Sequence, residues 1–252
     1  MAATLSACDA GQSEYAPECS VVRDREALLR PDLRKREGDI QLQKLNLGVL
    51  ASGGGSNLQA IIDNSEAGRI DATVCVVISN NSGSGALARA RKHGIPAIHL
   101  SSRTCPTPEA LDHAILDTIR EHRVALVVLA GYMKKLGPRT LAAYDNRILN
   151  IHPALLPSFG GEGMYGHHVH EAVLDSGAKV SGVTVHLVNP QYDQGPIVAQ
   201  RVVAVLDDDS PEELAARVLR EEHKLYSEVI QWFAEGRVYV EGGRARVGSA
   251  AG

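Results

Sequence analysis

Short apolar runs punctuate the chain from Leu45 onward. "LNLGVLAS", "TVCVVISN", "RVALVVLAG" and "RILNI" are rich in Val, Leu and Ile. Such runs suit strands buried on both faces of a sheet. "PAIHL" is a weaker example of the same pattern. Between them, residues 57–67, 83–93 and 108–122 read as helices. Alternation of strand and helix predicts βαβ units and a mostly parallel sheet. After Asn150 the rhythm changes. "KVSGVTVHLV" and "PIVAQRVVAV" alternate apolar and polar positions and are joined only by "NPQYDQG". So short a link predicts an antiparallel pair. A long helix follows, ending near Glu235. Ser210 is its cap, Pro211 suits its first turn, and Glu213 completes a capping box. "RVYVEG" is a candidate last strand.

Residues 1–44 lack this patterning. They are polar and charge-mixed, and "REALLRPDLRKREGD" is at best a short helix. They read as a mostly disordered leader, with 45–252 as the folded domain. A partner-binding arm is the other reading of the leader.

Composition narrows the class. Hydrophobic residues make up 44% of the chain, enough for a substantial core. Basic and acidic residues number 26 and 30, so no basic excess points to nucleic acid or an anionic membrane. No apolar run is long enough to span a bilayer, and no secretory signal pattern opens the chain. The four cysteines at 8, 19, 75 and 105 form no CxxC pair and no disulfide-like framework. A reducing cytoplasm is the expected location.

Five features carry candidate chemistry. "SGGGSNLQAII" (Ser52–Ile62) joins a strand to a helix. Its glycines permit close backbone approach, and the helix start offers free N–H groups that suit a phosphate. It lacks the third glycine of a dinucleotide fingerprint and the Lys-Ser/Thr of a Walker loop. Phosphate cradle and simple capped turn both remain open on these residues alone. Asn150 and His152 are two apart on a strand, so they face one side. Pro153 ends the strand and holds His152 extended. An amide N–H₂ and an imidazolium aimed together could hold an oxyanion; alternatively, they satisfy loop backbone. Asp193 is either turn chemistry or a carboxylate that orients a histidine and raises its pKa. His167, His168 and His170 lack helical zinc spacing, so a metallohydrolase is the weaker reading. Glu222 falls on the apolar stripe of Leu214, Val218, Leu225 and Val229, where a carboxylate needs a partner or a ligand.

In combination, "GVLASGGGSNLQAIID", "LAGYMKKL", "RILNIHPALLPSF", "VSGVTVHLV", "YDQGPIVAQ" and "LREEHKLY" resemble the folate-dependent formyltransferases. The likeness covers Leu45 to about Val240. It is greatest to members that formylate glycinamide ribonucleotide in purine synthesis. The resemblance implies a Rossmann-like α/β formyltransferase fold. It implies an enzyme that moves the formyl group of 10-formyltetrahydrofolate onto the amine of phosphoribosylglycinamide, with no metal. Asn150, His152 and Asp193 match the catalytic trio. Gly54, Gly55, Ser56 and Asn57 match the phosphate loop, and Glu222 matches the acid on the ribose hydroxyls. Met133, Lys134, Leu136, Val188, Asn189 and Asp193 match the folate wall. His168 and His170 match an H-x-H near the site, and His186 matches a histidine on the neighbouring strand. The "GGEGMYGHHVH" loop is longer than the resemblance leads one to expect. The implied partners are small molecules, with neither nucleic acid nor membrane, and a monomer or homodimer. Formyltetrahydrofolate hydrolase shares the trio but is expected to carry an N-terminal regulatory domain. The tRNA formyltransferase is expected to carry a further C-terminal domain and a basic surface. A non-catalytic nucleotide-binding module is the alternative from another class.

Overall fold

The computed structural model describes residues 44–249. The leader, its short helix, Cys8 and Cys19 lie outside the described residues. The domain runs β1 (Leu45–Leu50), α1 (Ser56–Glu66), β2 (Ala72–Ser79), α2 (Gly85–Lys92) and β3 (Ala97–His99). Then come α3 (Pro108–Glu121), β4 (Leu126–Leu129), α4 (Pro138–Ala143), β5 (Ile148–His152) and α5 (His167–Asp175). It ends with β6 (Val180–Leu187), β7 (Ile197–Ala204), α6 (Pro211–Ala234), β8 (Val238–Glu241) and β9 (Arg244–Val247).

Seven strands form one sheet in the order β3-β2-β1-β4-β5-β6-β7. The first five are mutually parallel, as their continuous apolar runs require. β6 runs antiparallel to both β5 and β7, as the short "NPQYDQG" link predicts. Side chains alternate between two cores. Leu47 and Val49 join Leu58 and Ile61 of α1 and Val218 and Val229 of α6 on one face. Leu50, Val76 and Ile78 join Ile115 and Ile119 of α3 on the other. Burial of both faces is what lets these strands dispense with polar residues.

The predicted helix ends hold to within a residue or two. Ser210 Oγ accepts the Glu213 N–H at 3.2 Å, and the Glu213 carboxylate accepts the Ser210 N–H at 2.9 Å. Two short helices, α4 and α5, have no counterpart in the sequence reading, because neither carries a long periodic stripe. "RVYVEG" is a strand with a partner: β8 pairs with β9 across Gly242-Gly243, both at positive φ (56° and 75°). That geometry suits a tight hairpin turn.

The strand order decides where ligands can go. After β1 the chain leaves toward β2; after β3 it crosses back and inserts β4 on the other side of β1. The loops following β1 and β4 therefore diverge, and a crevice opens at their carboxyl ends.

Candidate active site

A cavity of about 770 Å³ occupies that crevice. Its walls come from the first turn of α1, the loop after β4, the tip of β5, loops 160–166 and 188–193, and the first half of α6. Tyr226 aligns α6 over the sheet. Its hydroxyl reaches the carbonyls of Leu129 (2.9 Å) and Leu149 (3.1 Å), near the ends of β4 and β5. Glu222, one helical turn earlier on the same face, is thereby placed on the cavity wall.

Asn150 and His152 share one face of β5, as their spacing predicts. Asn150 lies opposite His186 of β6, and its Nδ2 is 3.1 Å from His186 Nε2. His186 Nδ1 is 2.9 Å from the Leu187 carbonyl oxygen, which can only accept. Nδ1 therefore carries the proton, and Nε2 is the acceptor for one Asn150 N–H. The second Asn150 N–H is left for a ligand.

His152 is oriented the same way, by backbone. Its Nε2 donates to the Phe159 carbonyl at 2.7 Å, so the neutral ring presents a lone pair at Nδ1. Asp193 lies 3.7 Å from that nitrogen and 3.5 Å from His186 Nε2. Neither separation is a tight hydrogen bond, and each contact becomes an ion pair only when its ring is protonated. The Asp193 Oδ2 atom accepts the Gly161 N–H at 2.9 Å. Gly160 makes this approach possible, since a Cβ there would sit 2.4 Å from Leu156 Cδ2 and 3.2 Å from Asp193 Cβ. The long loop thus passes directly against the carboxylate.

Electrostatics bear on one expectation. Burial is the largest influence on His152 and pushes its pKa below the ordinary histidine value, aided by His186. Asp193 and the Phe159 carbonyl pull upward and do not prevail. A lowered pKa favours the neutral ring in the free protein, whereas an oxyanion-holding role at this atom calls for the imidazolium. Asp193 behaves as an ionised group. Burial works to raise its pKa, but His186, the Gly161 N–H and His152 together hold it below the usual carboxylate range. Burial also pushes Glu222 up, opposed by the Asn57 amide, which donates to Glu222 Oε2 at 2.7 Å.

The remaining expected residues divide. Met133, Lys134, Leu136, Val188 and Asn189 line the cavity, with Asn57 and Glu222. Gly54, Gly55 and Ser56 sit beside it on the loop that leads to Asn57. Gly55 is the N-cap of α1, in the left-handed conformation and with no side-chain cap bond. The capped-turn alternative therefore does not hold, and the first amides of α1 stay open. His170 is buried on the cavity wall, its pKa lowered by burial and by His167 and His152. His168 is not on that wall. It faces Glu171 at 3.1 Å with its side chain 65% exposed, because residues two apart on a helix diverge by about 200°. His167 lines the cavity instead. Among the described residues no cluster of three His, Cys, Asp or Glu side chains is placed to hold a metal.

Sequence reasoning missed the Phe159 carbonyl and the Gly161 N–H, backbone groups that no residue-type motif reveals. It also missed Tyr132 and Lys135 on the wall, while Tyr192 falls in the 188–193 loop that the resemblance placed there. Lys135 lies 5.3 Å above the Tyr192 ring. Adjacency to Met133-Lys134 was the available signal for Tyr132 and Lys135.

Comparison with known proteins fits this geometry. Residues 45–230 match the family described as Formyl transferase. The chain is 46% identical over 200 residues to the chloroplastic phosphoribosylglycinamide formyltransferase of Vigna unguiculata, spanning 79% of this chain and 64% of that one. It is 41% identical over 194 residues to phosphoribosylglycinamide formyltransferase of Escherichia coli K12, spanning 77% and 89% respectively. The crystal structure of glycinamide ribonucleotide transformylase 1 from Symbiobacterium toebii superposes with a TM-score of 0.78 at 44% identity, covering 82% of this chain and 95% of that one. With its fold, its cavity and a family match that spans residues 45–230, the chain belongs to the formyl transferase family.

Proposed function

We propose that the protein transfers the formyl group of 10-formyltetrahydrofolate to the amine of phosphoribosylglycinamide, yielding formylglycinamide ribonucleotide and tetrahydrofolate in purine biosynthesis. One observation carries the reading: Asn150, His152 and Asp193 converge in a cavity that also holds Glu222 and adjoins the uncapped start of α1. The formyl transferase family membership and the names of the relatives support it.

The residues divide the work as follows. The α1 loop takes the phosphate, and Glu222 accepts the ribose hydroxyls. Met133, Lys134, Leu136, Val188 and Asn189 wall the folate. As the substrate amine attacks the formyl carbon, negative charge grows on the formyl oxygen. The unpaired Asn150 N–H donates to it; one such donor contributes about 3 kcal/mol in comparable sites. Nδ1 of neutral His152 takes the proton released by the attacking nitrogen. Asp193 stabilises the resulting imidazolium, which returns the proton to the departing folate nitrogen. The polar groups of the chain suffice for this chemistry, so turnover is expected to survive dialysis against a chelator. Cys75 and Cys105 carry free thiols, in keeping with a cytoplasmic location. No helix among the described residues is long and apolar enough to cross a membrane.

The test mixes protein, glycinamide ribonucleotide and formyl folate and follows tetrahydrofolate. Absence of turnover refutes the transferase reading. Formate released without the ribonucleotide makes the protein a hydrolase instead.

A further inference from the structure

We infer that Arg89, which lies outside the cavity, is a positioning residue that shapes the phosphate cradle. The inference rests on the ribonucleotide reading above. The Ala86 N–H donates to the Gly53 carbonyl at 3.1 Å, and Arg89 Nε donates to the Gly54 carbonyl at 2.8 Å. Both carbonyls are thus turned onto α2. In a trans peptide the N–H points opposite to its carbonyl. The amides of Gly54 and Gly55 consequently face away from α2.

Gly55 is left-handed (φ 75°, ψ 35°), and Ser56 begins the helix. Successive left- and right-handed residues gather their N–H groups into a concavity for anions. None of the amides from Gly54 to Asn57 donates to another described residue. A second observation in the same turn points to a ligand. Asn57 is nine-tenths buried on the cavity wall, its Nδ2 is committed to Glu222, and its Oδ1 has no partner among the described residues. A ribose hydroxyl is the donor it fits.

α2 holds this loop without slack. A Cβ on Gly55 would lie 2.8 Å from Ala86 Cα, and one on Gly85 would lie 2.7 Å from the Gly54 oxygen. Arg89 completes the clamp from the other side. Its Nη1 donates to Gln59 Oε1 at 3.0 Å, and Gln59 Nε2 lies 2.8 Å from Asp63 Oδ1 and 3.1 Å from His93 Nε2. One planar guanidinium therefore bridges the loop to the side of α1 and brings a fixed positive charge behind the cradle. A lysine supplies the charge but cannot reproduce the two-nitrogen fork.

The experiment compares wild type, R89M and R89K by steady-state kinetics and by binding of inorganic phosphate followed calorimetrically. R89M is expected to raise the KM for glycinamide ribonucleotide about tenfold or more, the usual scale for a lost charge-assisted hydrogen bond. Its kcat and its KM for formyl folate stay within about twofold, and kcat/KM for the phosphate-free riboside is unchanged. R89K recovers only part of the loss. Phosphate affinity falls in the same order, which reads the cradle without requiring turnover. The inference is overturned if R89M binds phosphate as wild type does, or if ribonucleotide and riboside lose turnover by the same factor. Failure of the wild type to formylate the ribonucleotide sinks the functional reading, while the phosphate arm still decides the role of Arg89.

Discussion

Replacing Asp193 by Asn removes one charge from the site and almost no volume. The amide oxygen of the new side chain can still accept the Gly161 N–H, so loop 160–166 has no reason to move. What disappears is the attraction between the carboxylate and an imidazolium formed 3.7 Å away. Coulomb's law at that distance, with an effective dielectric of about 20, gives about 4.5 kcal/mol. The two side chains are only 12% and 4% exposed, so screening is slight. Allowing for some compensating reorganisation leaves about 3–4 kcal/mol, or a loss of roughly 10²–10³-fold in kcat. The pH profile carries a second, directional test. His152 must be unprotonated to accept a proton, so kcat/KM falls on the acid side of its pKa. Asp193 holds that pKa up against burial. Without the carboxylate the acid limb moves to lower pH. Tetrahydrofolate release measured from acid to neutral pH reads both quantities, with circular dichroism as the check on folding. A kcat within threefold of wild type, or an acid limb that moves upward, refutes the assigned role.

Three further outcomes follow from other parts of the site. N150A removes the oxyanion donor and strands His186 Nε2, so kcat is expected to fall roughly 10²–10³-fold with both KM values little changed; an unaltered kcat would clear Asn150 of that role. E222Q should weaken ribonucleotide use about tenfold yet make the protein more stable at neutral and alkaline pH. A carboxyl raised by burial favours folding only while protonated, and that contribution is lost as pH rises from the ordinary Glu value through the folded one; thermal melts across pH would contradict this if wild type and E222Q stay parallel. G55V places a β-branched residue at φ 75° with its Cβ 2.8 Å from Ala86 Cα. It should cost about 1–3 kcal/mol in denaturant unfolding and raise the ribonucleotide KM; a normal KM would count against the cradle.

Periodicity alone determined most of the architecture. Apolar runs such as "TVCVVISN" can be solvated on neither face, so they demanded a sheet covered by helices on both sides. Ser210, Pro211 and Glu213 marked a helix start through local hydrogen bonds, which need no tertiary partner. The two-residue spacing of Asn150 and His152 guaranteed a shared face on any strand. By contrast, α4, α5 and β9 are built largely of polar and small residues and show no sustained apolar run, so packing decides them. His168 and His170 sat together in the sequence, and helix geometry parted them.

Chemistry needed the third dimension. Nothing in the residue order states that Asp193 meets His152, because an antiparallel strand pair and a returning loop make that contact. The tautomers of His152 and His186 are set by the carbonyls of Phe159 and Leu187, groups every residue possesses. The pKa of His152 depends on burial, a property of the packed whole. Burial therefore bears on a charge state that the motif alone does not set. Sequence chose the functional groups and their faces; tertiary structure chose their neighbours, and in a low-dielectric cavity the neighbours decide where the proton sits.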